Sequence, residues 1–507
     1  MNGVNFQTPE DPLSNPSDIL RPAPHEGTLV DTPDHHALDR LTKPQKVGLL
    51  LGPLLFALLA FGPTPPGLEG PPQRALAILA LCATWWLTTP VALPVTSFLG
   101  LALIPLLGVL DKTRAMELFG NQAVFFVVAA FIVAAVAVRT GLSTRVALFA
   151  LKRVGRSEDA VAGGTLLVAA ALTSVVISHA VAALLLPIVI EIVRAMNLGP
   201  GSRFARRLLL SMAWGTICGS NLTLLSCARS SLSVGMYSSW IAGHGGGNPI
   251  GFFEFSIATL LPALASLVVA YFALRIFHPP EGLSVEPALK RLAERAHSLG
   301  RISRDEIITG FVIIGMVIAL VFFGKQYGLG TIALACAAVL FITRVGRWEA
   351  TEGHVNWGVA LLYGGAIAVA AAVEETKAVE MLVNMYLPIH DIPVWVLIAL
   401  CTALTILITA FVSNAAAIAL LLPICLTVAN EVGINPRAIA ILLPVAAGLD
   451  FSLPVSTPAM AMVFGTGYLR TQDSVIPGVV TSIVSTTLTL FFAWLLWPWL
   501  GLGLVGE

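Results

Sequence analysis

Charge is what this sequence has least of. Only 11% of its 507 residues are Asp, Glu, Lys or Arg, where a soluble domain carries about a quarter. The 29 basic residues are matched by 29 acidic ones, so no basic excess points to a nucleic-acid partner. Its six cysteines (Cys82, Cys218, Cys227, Cys336, Cys401 and Cys425) lie inside apolar stretches without metal-ligand spacing. They read as small hydrophobes rather than ligands or disulfides, and no metal beyond a sodium ion is expected. The chain has no H-E-x-x-H, no G-x-S-G and no paired intramembrane aspartates, which argues against an enzyme. Nor does it begin with a basic segment and short apolar core, so residues 1–42 are not a signal peptide. Rich in Pro, Asp and His, they read as a disordered cytoplasmic tail, in which His25, His35 and His36 could at most hold a metal.

What is abundant is apolar sequence: 56% of residues are hydrophobic and the mean hydropathy is +0.85. Runs of about 20 apolar residues, each long enough to cross a bilayer, recur from Lys46 to Leu502. The expected fold is all-α, a polytopic membrane protein in contact with the lipid bilayer. Four segments (160–195, 207–240, 393–430 and 436–468) are too long for one plain span, and each is interrupted by polar residues, Pro or Gly. Broken backbone at membrane depth survives only where protein encloses it or it lines a wet cavity, so these breaks are the expected functional centre.

The segments repeat. Leu184-Leu185-Leu186-Pro187-Ile188 recurs as Leu420-Leu421-Leu422-Pro423-Ile424, and each run precedes a second broken segment. Matching interrupted segments in two halves are a signature of secondary transporters, with the site between the repeats. With 160–195 and 393–430 as re-entrant hairpins and the N-terminus cytoplasmic, only Arg74, Lys112, Arg114, Lys325, Lys377 and Arg437 fall outside. Arg229 lies within a span, and the other 22 of the 29 basic residues fall inside, a strong positive-inside bias. About 11 transmembrane helices plus two hairpins put the C-terminus outside and form two inverted-topology repeats.

Trp86-Leu87-Thr88-Thr89-Pro90-Val91-Ala92-Leu93-Pro94-Val95-Thr96 resembles W-x-T-E-A-x-P-x-P-V-T of the divalent anion:sodium symporter family, the dicarboxylate, citrate and sulfate carriers. Ser413-Asn414-Ala415, followed by Leu422-Pro423-Ile424, is similar to that family's second S-N-T hairpin tip. Leu453 to Met460, with Val463-Phe464-Gly465-Thr466-Gly467, is similar to L-P-x-x-T-P-P-N…V-F-G-S-G. The resemblance covers roughly 44–503. It implies an elevator-type homodimer in the cytoplasmic (inner) membrane, binding sodium between each tip and the adjoining broken span and the anion between the tips. On this resemblance 43–157 and 305–378 form a scaffold, 158–278 and 379–507 form the transport halves, and 279–304 is a cytoplasmic amphipathic linker. The expected anion-binding residues are Ser178, His179, Arg229, Ser413, Asn414, Ala415, Thr457 and Pro458. The expected cation-coupling residues are Ser178, Gly219, Thr223, Thr409, Ser413, Asn414 and Asp450.

The chemistry agrees. Half-helix N-termini and hydroxyl or amide donors suit a small dianion, and exposed carbonyls at a break can coordinate a hard cation. The same Ser, Thr and Asn residues can instead be glue between helices. Three ionisable residues depart from the family pattern: His179 where its first tip has S-N-T, Arg229 for a proline and Asp450 for a small residue. An ionisable group at membrane depth is a functional candidate by default. Arg229 would supply a fixed positive charge in place of a sodium ion, unless it pairs structurally with Asp450 or snorkels to an interface. His179 could contact the anion, carry a proton or be a hydrogen-bonded buried histidine; Asp450 could bind a cation, titrate or pair with Arg229. The expected function is secondary active transport of a small divalent anion, most plausibly a C4-dicarboxylate, by sodium symport. The alternatives are sodium-independent or proton-coupled exchange (antiport), or sulfate as the substrate.

Overall fold

The computed structural model describes residues 41–63, 68–153, 155–386, 392–410, 412–454 and 456–505. The expectations for residues 1–40, including the three tail histidines, lie outside the described residues. Among those described, the chain is helical without strands; its only β feature is an isolated bridge between Ile434 and Val505.

The first half contains α1 (Lys43–Phe61), α2 (Pro71–Thr88), α3 (Leu93–Leu106), α4 (Lys112–Phe119), α5 (Gln122–Arg139) and α6 (Leu142–Leu151). A hairpin follows, α7 (Glu158–Thr173) and α8 (Ser178–Ala195), then a broken span, α9 (Arg203–Gly219) and α10 (Ala228–Gly243), and a long helix, α11 (Phe252–Phe277). After α12 (Glu286–Ser298) the order recurs: α13 (Arg304–Tyr327), α14 (Leu329–Ile342), a short α15 (Trp348–Thr351), α16 (Trp357–Glu375) and α17 (Ala378–Tyr386). The second hairpin is α18 (Val394–Thr409) and α19 (Asn414–Glu431), the second broken span α20 (Pro436–Ala447) and α21 (Pro458–Gly465), and the last long helix α22 (Thr471–Leu496). All four expected interruptions are present, over 174–177, 220–227, 410–413 and 448–457. Arg229-Ser230-Ser231, expected within a break, already lies in the first turn of α10. Helices α4, α15 and α17 are too short and too mixed in character to stand out as apolar runs, and α6, though apolar, is only 10 residues long.

Among the described residues, eight helical stretches are long and apolar enough to cross a membrane, and five shorter apolar helices accompany them. Exposed side chains confirm a lipid-facing exterior. Phe311, Ile314, Ile318 and Phe322 stand on one face of α13, and Leu400, Leu404 and Leu407 on one face of α18, all exposed. Such stripes are stable only in a non-aqueous solvent. The interior buries α5, α9, α16 and α20 almost all round. Close approach there depends on glycine: a Cβ on Gly215 would lie 2.4 Å from the Leu166 carbonyl oxygen, and one on Gly219 2.3 Å from that of Ala170.

Polar contacts fix the ends. Glu281, between α11 and α12, accepts hydrogen bonds from Ser202 and from the backbone N–H groups of Arg203 and Phe204, capping α9. Glu158 at the start of α7 accepts the N–H groups of Glu281 and Leu283. The amphipathic α12 buries Ala288 and Leu292 and pairs Arg291 and Arg295 with Glu191 of α8.

Candidate functional site

The two broken spans cross, with α9 packed on α21 and α10 on α20. Each second arm also packs on the second helix of the other hairpin, α21 on α8 and α10 on α19. The four breaks therefore gather around one buried region.

At the first tip, the Ser178 N–H donates to the Ser226 carbonyl at 3.2 Å, and the Thr223 hydroxyl donates to the Ser174 carbonyl at 2.6 Å. Hairpin and facing break are thus stitched together, and Ser178 and Thr223 belong to one cluster. Gly219 joins them through packing, and its carbonyl accepts the Leu222 N–H. His179 stacks at a tilt on Phe131 of α5, with ring centroids 5.6 Å apart, and makes no hydrogen bond among the described residues. It is therefore not the hydrogen-bonded structural histidine that was one alternative.

At the second tip, the Ser413 hydroxyl accepts the Ala416 N–H and caps α19, and Ala415 stands in its first turn. Asn414 Oδ1 is buried without a partner. Thr409 spends its hydroxyl on the Ile406 carbonyl within its own helix. Thr457 caps α21 by accepting the Met460 N–H at 3.2 Å, and Pro458 occupies the first helical position.

Arg229 is 4% exposed and holds the centre. Its Nε donates to the Pro444 carbonyl at 2.8 Å, one Nη to Ser220 Oγ at 3.0 Å and to Asn221 Oδ1, and the other Nη faces Cys227 Sγ. The guanidinium therefore sits at the C-terminal ends of α9 and α20 together, where helix dipoles and unpaired carbonyls favour a cation. Gly448 makes the room: a Cβ there would lie 1.8 Å from an Arg229 Nη. Four of the five guanidinium donors are occupied, by neutral groups only.

The Arg229–Asp450 ion pair, one sequence-level alternative, is absent. Asp450 instead turns one oxygen to the N–H and hydroxyl of Ser452, at 2.9 and 2.6 Å, and leaves Oδ2 buried and unpartnered. Local closure wins because the break places the Ser452 donors two residues away, whereas the guanidinium is drawn to α20's last turn. Snorkelling is excluded too, since the Arg229 head is enclosed.

Ser220, Asn221 and Ser230 were legible only as part of the interruption of 207–240, and Tyr363 was not singled out at all. Tyr363 of α16, which packs on α10, is fully buried, and its hydroxyl has no partner among the described residues. Ser230 Oγ and Asn221 Nδ2 are likewise buried and unpartnered. The N-terminus of α10, which no side chain caps, thus adjoins three unspent polar groups and one positive charge. Such a collection is costly unless something polar binds there. No sequence signal links Tyr363 to the breaks, since it lies 134 positions from Arg229. Cys227, expected to be a packing residue, is part of this site.

Broken helices buried within a lipid-facing helical body define a multi-pass membrane protein, and its family makes it a transport protein rather than an enzyme. The chain belongs to the family described as the sodium:sulfate symporter transmembrane region, whose family model matches residues 44–503. Among curated relatives, the sodium-dependent dicarboxylate transporter SdcS of Staphylococcus saprophyticus is 26% identical over 483 residues, covering 90% of this chain and 92% of the relative. SdcS of Staphylococcus aureus strain MRSA252 is also 26% identical, covering 90% of this chain and 91% of the relative. Among solved structures, the Alcanivorax borkumensis YdaH transporter superposes with a TM-score of 0.53 at 15% identity, covering 92% of this chain and 100% of that one. It speaks to fold alone.

Proposed function

We propose that the chain carries a small dianion, a C4-dicarboxylate with sulfate as the rival, across the cytoplasmic membrane by an elevator motion in a homodimer. In this reading 158–278 and 379–507 move as one transport unit against a scaffold of 43–157 and 305–378, with 279–304 as the linker. The two halves are inverted repeats, with the N-terminus cytoplasmic and the C-terminus outside. The name of the SdcS relatives supports the substrate class and sodium as the coupling ion.

One observation carries the reading most directly. Arg229 is a buried charge with no carboxylate partner, held by a carbonyl, an amide oxygen and a hydroxyl. Those are the donor types that coordinate a hard cation, so the guanidinium acts as a tethered cation in the first half. Its charge is left to offset the anion, which docks at the α10 N-terminus with Ser230, Asn221, Tyr363 and the tip residues Ser178, His179, Ser413, Asn414 and Ala415, facing Thr457 and Pro458. A mobile sodium ion belongs to the second half, where Asn414 Oδ1 and Asp450 Oδ2 are free acceptors.

Sodium-independent exchange is the second reading, favoured by the same tethered charge. Labelled succinate uptake into proteoliposomes, with and without a sodium gradient and with and without internal succinate, separates the two. Sodium-driven accumulation establishes symport, and uptake that needs internal succinate but ignores sodium establishes exchange. No saturable uptake of succinate or sulfate under any condition would refute the carrier reading.

A further inference from the structure

His244 caps the C-terminal end of α10, and Glu374 lies at the last turn of α16. They meet at 3.1 Å between His244 Nε2 and Glu374 Oε1. The other ring nitrogen, Nδ1, lies 3.0 Å from the Trp240 carbonyl, and the Trp240 indole stacks on the imidazole at 3.9 Å between ring centroids. This geometry has a consequence for protons. A carbonyl oxygen has no hydrogen to give, so Nδ1 must carry one. With Nδ1 protonated, a neutral imidazole would turn the Nε2 lone pair toward a carboxylate oxygen, which is repulsive. The contact is attractive only when a proton lies between Nε2 and Oε1, formally on either group.

Glu374 is the sheltered partner, its side chain 11% exposed against 30% for His244. Met236, Trp240, Ala370, Ala371, Pro423 and Leu426 line, with Glu374, a void of about 10 Å³, room for about one water. The Thr427 hydroxyl of α19 lies 3.0 Å from the Pro423 carbonyl, to which it donates, and 3.3 Å from Glu374 Oε2. The other charges facing the carboxylate are Lys377, in the turn after α16, and Glu380 of α17. Neighbouring Glu375 is turned away to Arg114 of α4.

We propose that His244 and Glu374 form a proton-binding site that latches α10 to α16, holding one shared proton when closed and releasing it when the helices part. This deepens the carrier reading and rests on it, because there α10 and α19 belong to the moving unit and α16 to the scaffold. Both His244 and the Thr427 hydroxyl leave Glu374 when the unit moves. Parted, neither group holds the proton as the pair does, so acid favours the latched state and higher pH favours movement. Glu374 stays on the scaffold, so the proton gates the rate and is not cargo.

The test is succinate counterflow in proteoliposomes at equal internal and external pH, stepped between about pH 5 and 8. The wild-type rate should rise with pH, by at most about tenfold per unit for one proton. Glu374→Gln keeps a hydrogen bond, from its amide N–H to Nε2, without needing the shared proton, and should flatten the profile while retaining counterflow at the upper pH. His244→Ala should flatten it as well. A wild-type profile preserved in Glu374→Gln overturns the proposal, as does accumulation driven by a pH gradient alone. Trp240 emission, taken as the difference from Trp240→Phe, gives a readout independent of transport, because an imidazolium stacked on the indole quenches it. A titration of that emission lost in Glu374→Gln supports the site even if no counterflow is found, which would instead refute the carrier reading. Emission that does not titrate in wild type overturns the site.

Discussion

Replacing Arg229 by alanine is the most informative perturbation, because on the proposed reading the side chain both offsets a ligand charge and occupies a cation-like coordination shell. One guanidinium donor is unspent, and a hydrogen bond from a charged group to a dianion is worth about 1.5–3 kcal/mol. At 1.4 kcal/mol per decade, its loss weakens anion binding by roughly 10- to 150-fold. The fold should survive in part, since the space vacated is lined by Ser220 Oγ, Asn221 Oδ1 and the Pro444 carbonyl and can take up a sodium ion with water. Succinate affinity of purified Arg229→Ala, measured calorimetrically, should therefore fall and become more dependent on sodium than that of wild type. Gly448→Ala is a complementary variant that keeps the arginine in the sequence but shifts its guanidinium, because the new Cβ would meet an Arg229 Nη at 1.8 Å and must displace it. It should lose affinity in the same direction. A folded Arg229→Ala protein with wild-type affinity and unchanged sodium dependence would refute the reasoning.

Two further outcomes follow. Tyr363→Phe removes a buried hydroxyl that has no partner, so melting without ligand should be unchanged or slightly higher, while succinate affinity falls by roughly 5- to 10-fold; unchanged affinity would take Tyr363 out of the site. In the loop after α11, burial works against the charged Glu281, yet hydrogen bonds from Ser202, Arg203 and Phe204 and the nearby Arg203 charge hold its carboxyl below the ordinary glutamate value. A depressed pKa means that the stabilisation is present above the unfolded-state value and is lost as pH falls through the folded-state value. Glu281→Gln should therefore melt lower than wild type at neutral pH, with the gap closing in acid; a gap that persists or widens in acid would contradict this.

Much of the architecture was legible because bilayer solvation leaves few choices. A helix must be apolar for about 20 residues to cross hydrocarbon, and a longer apolar segment with polar interruptions must break where protein can satisfy its backbone. Hence the four breaks, the repeated Leu-Leu-Leu-Pro-Ile, the amphipathic helix α12 and the transporter class could all be read without coordinates. Short helices such as α4 and α17 could not, because neither length nor hydropathy distinguishes them from polar connections.

The site divides along the same line. Sequence alone determined that Ser178, Ser413, Asn414 and Thr457 would lie at hairpin tips or helix starts, since caps are local and chemistry-specific. It also singled out Arg229 and Asp450 as charges within apolar segments, and both are buried. Which partner each would take was a tertiary matter. Arg229 reaches Pro444, 215 positions away, because the crossing of the two broken spans brings the end of α20 to it. Asp450 closes on Ser452, two residues on. Tyr363 and the His244–Glu374 pair are likewise products of packing between α10 and α16. Periodicity records which face of a helix is apolar, but the choice of the helix opposite is made by shape and by the hydrogen bonds left unmet once all the segments pack together.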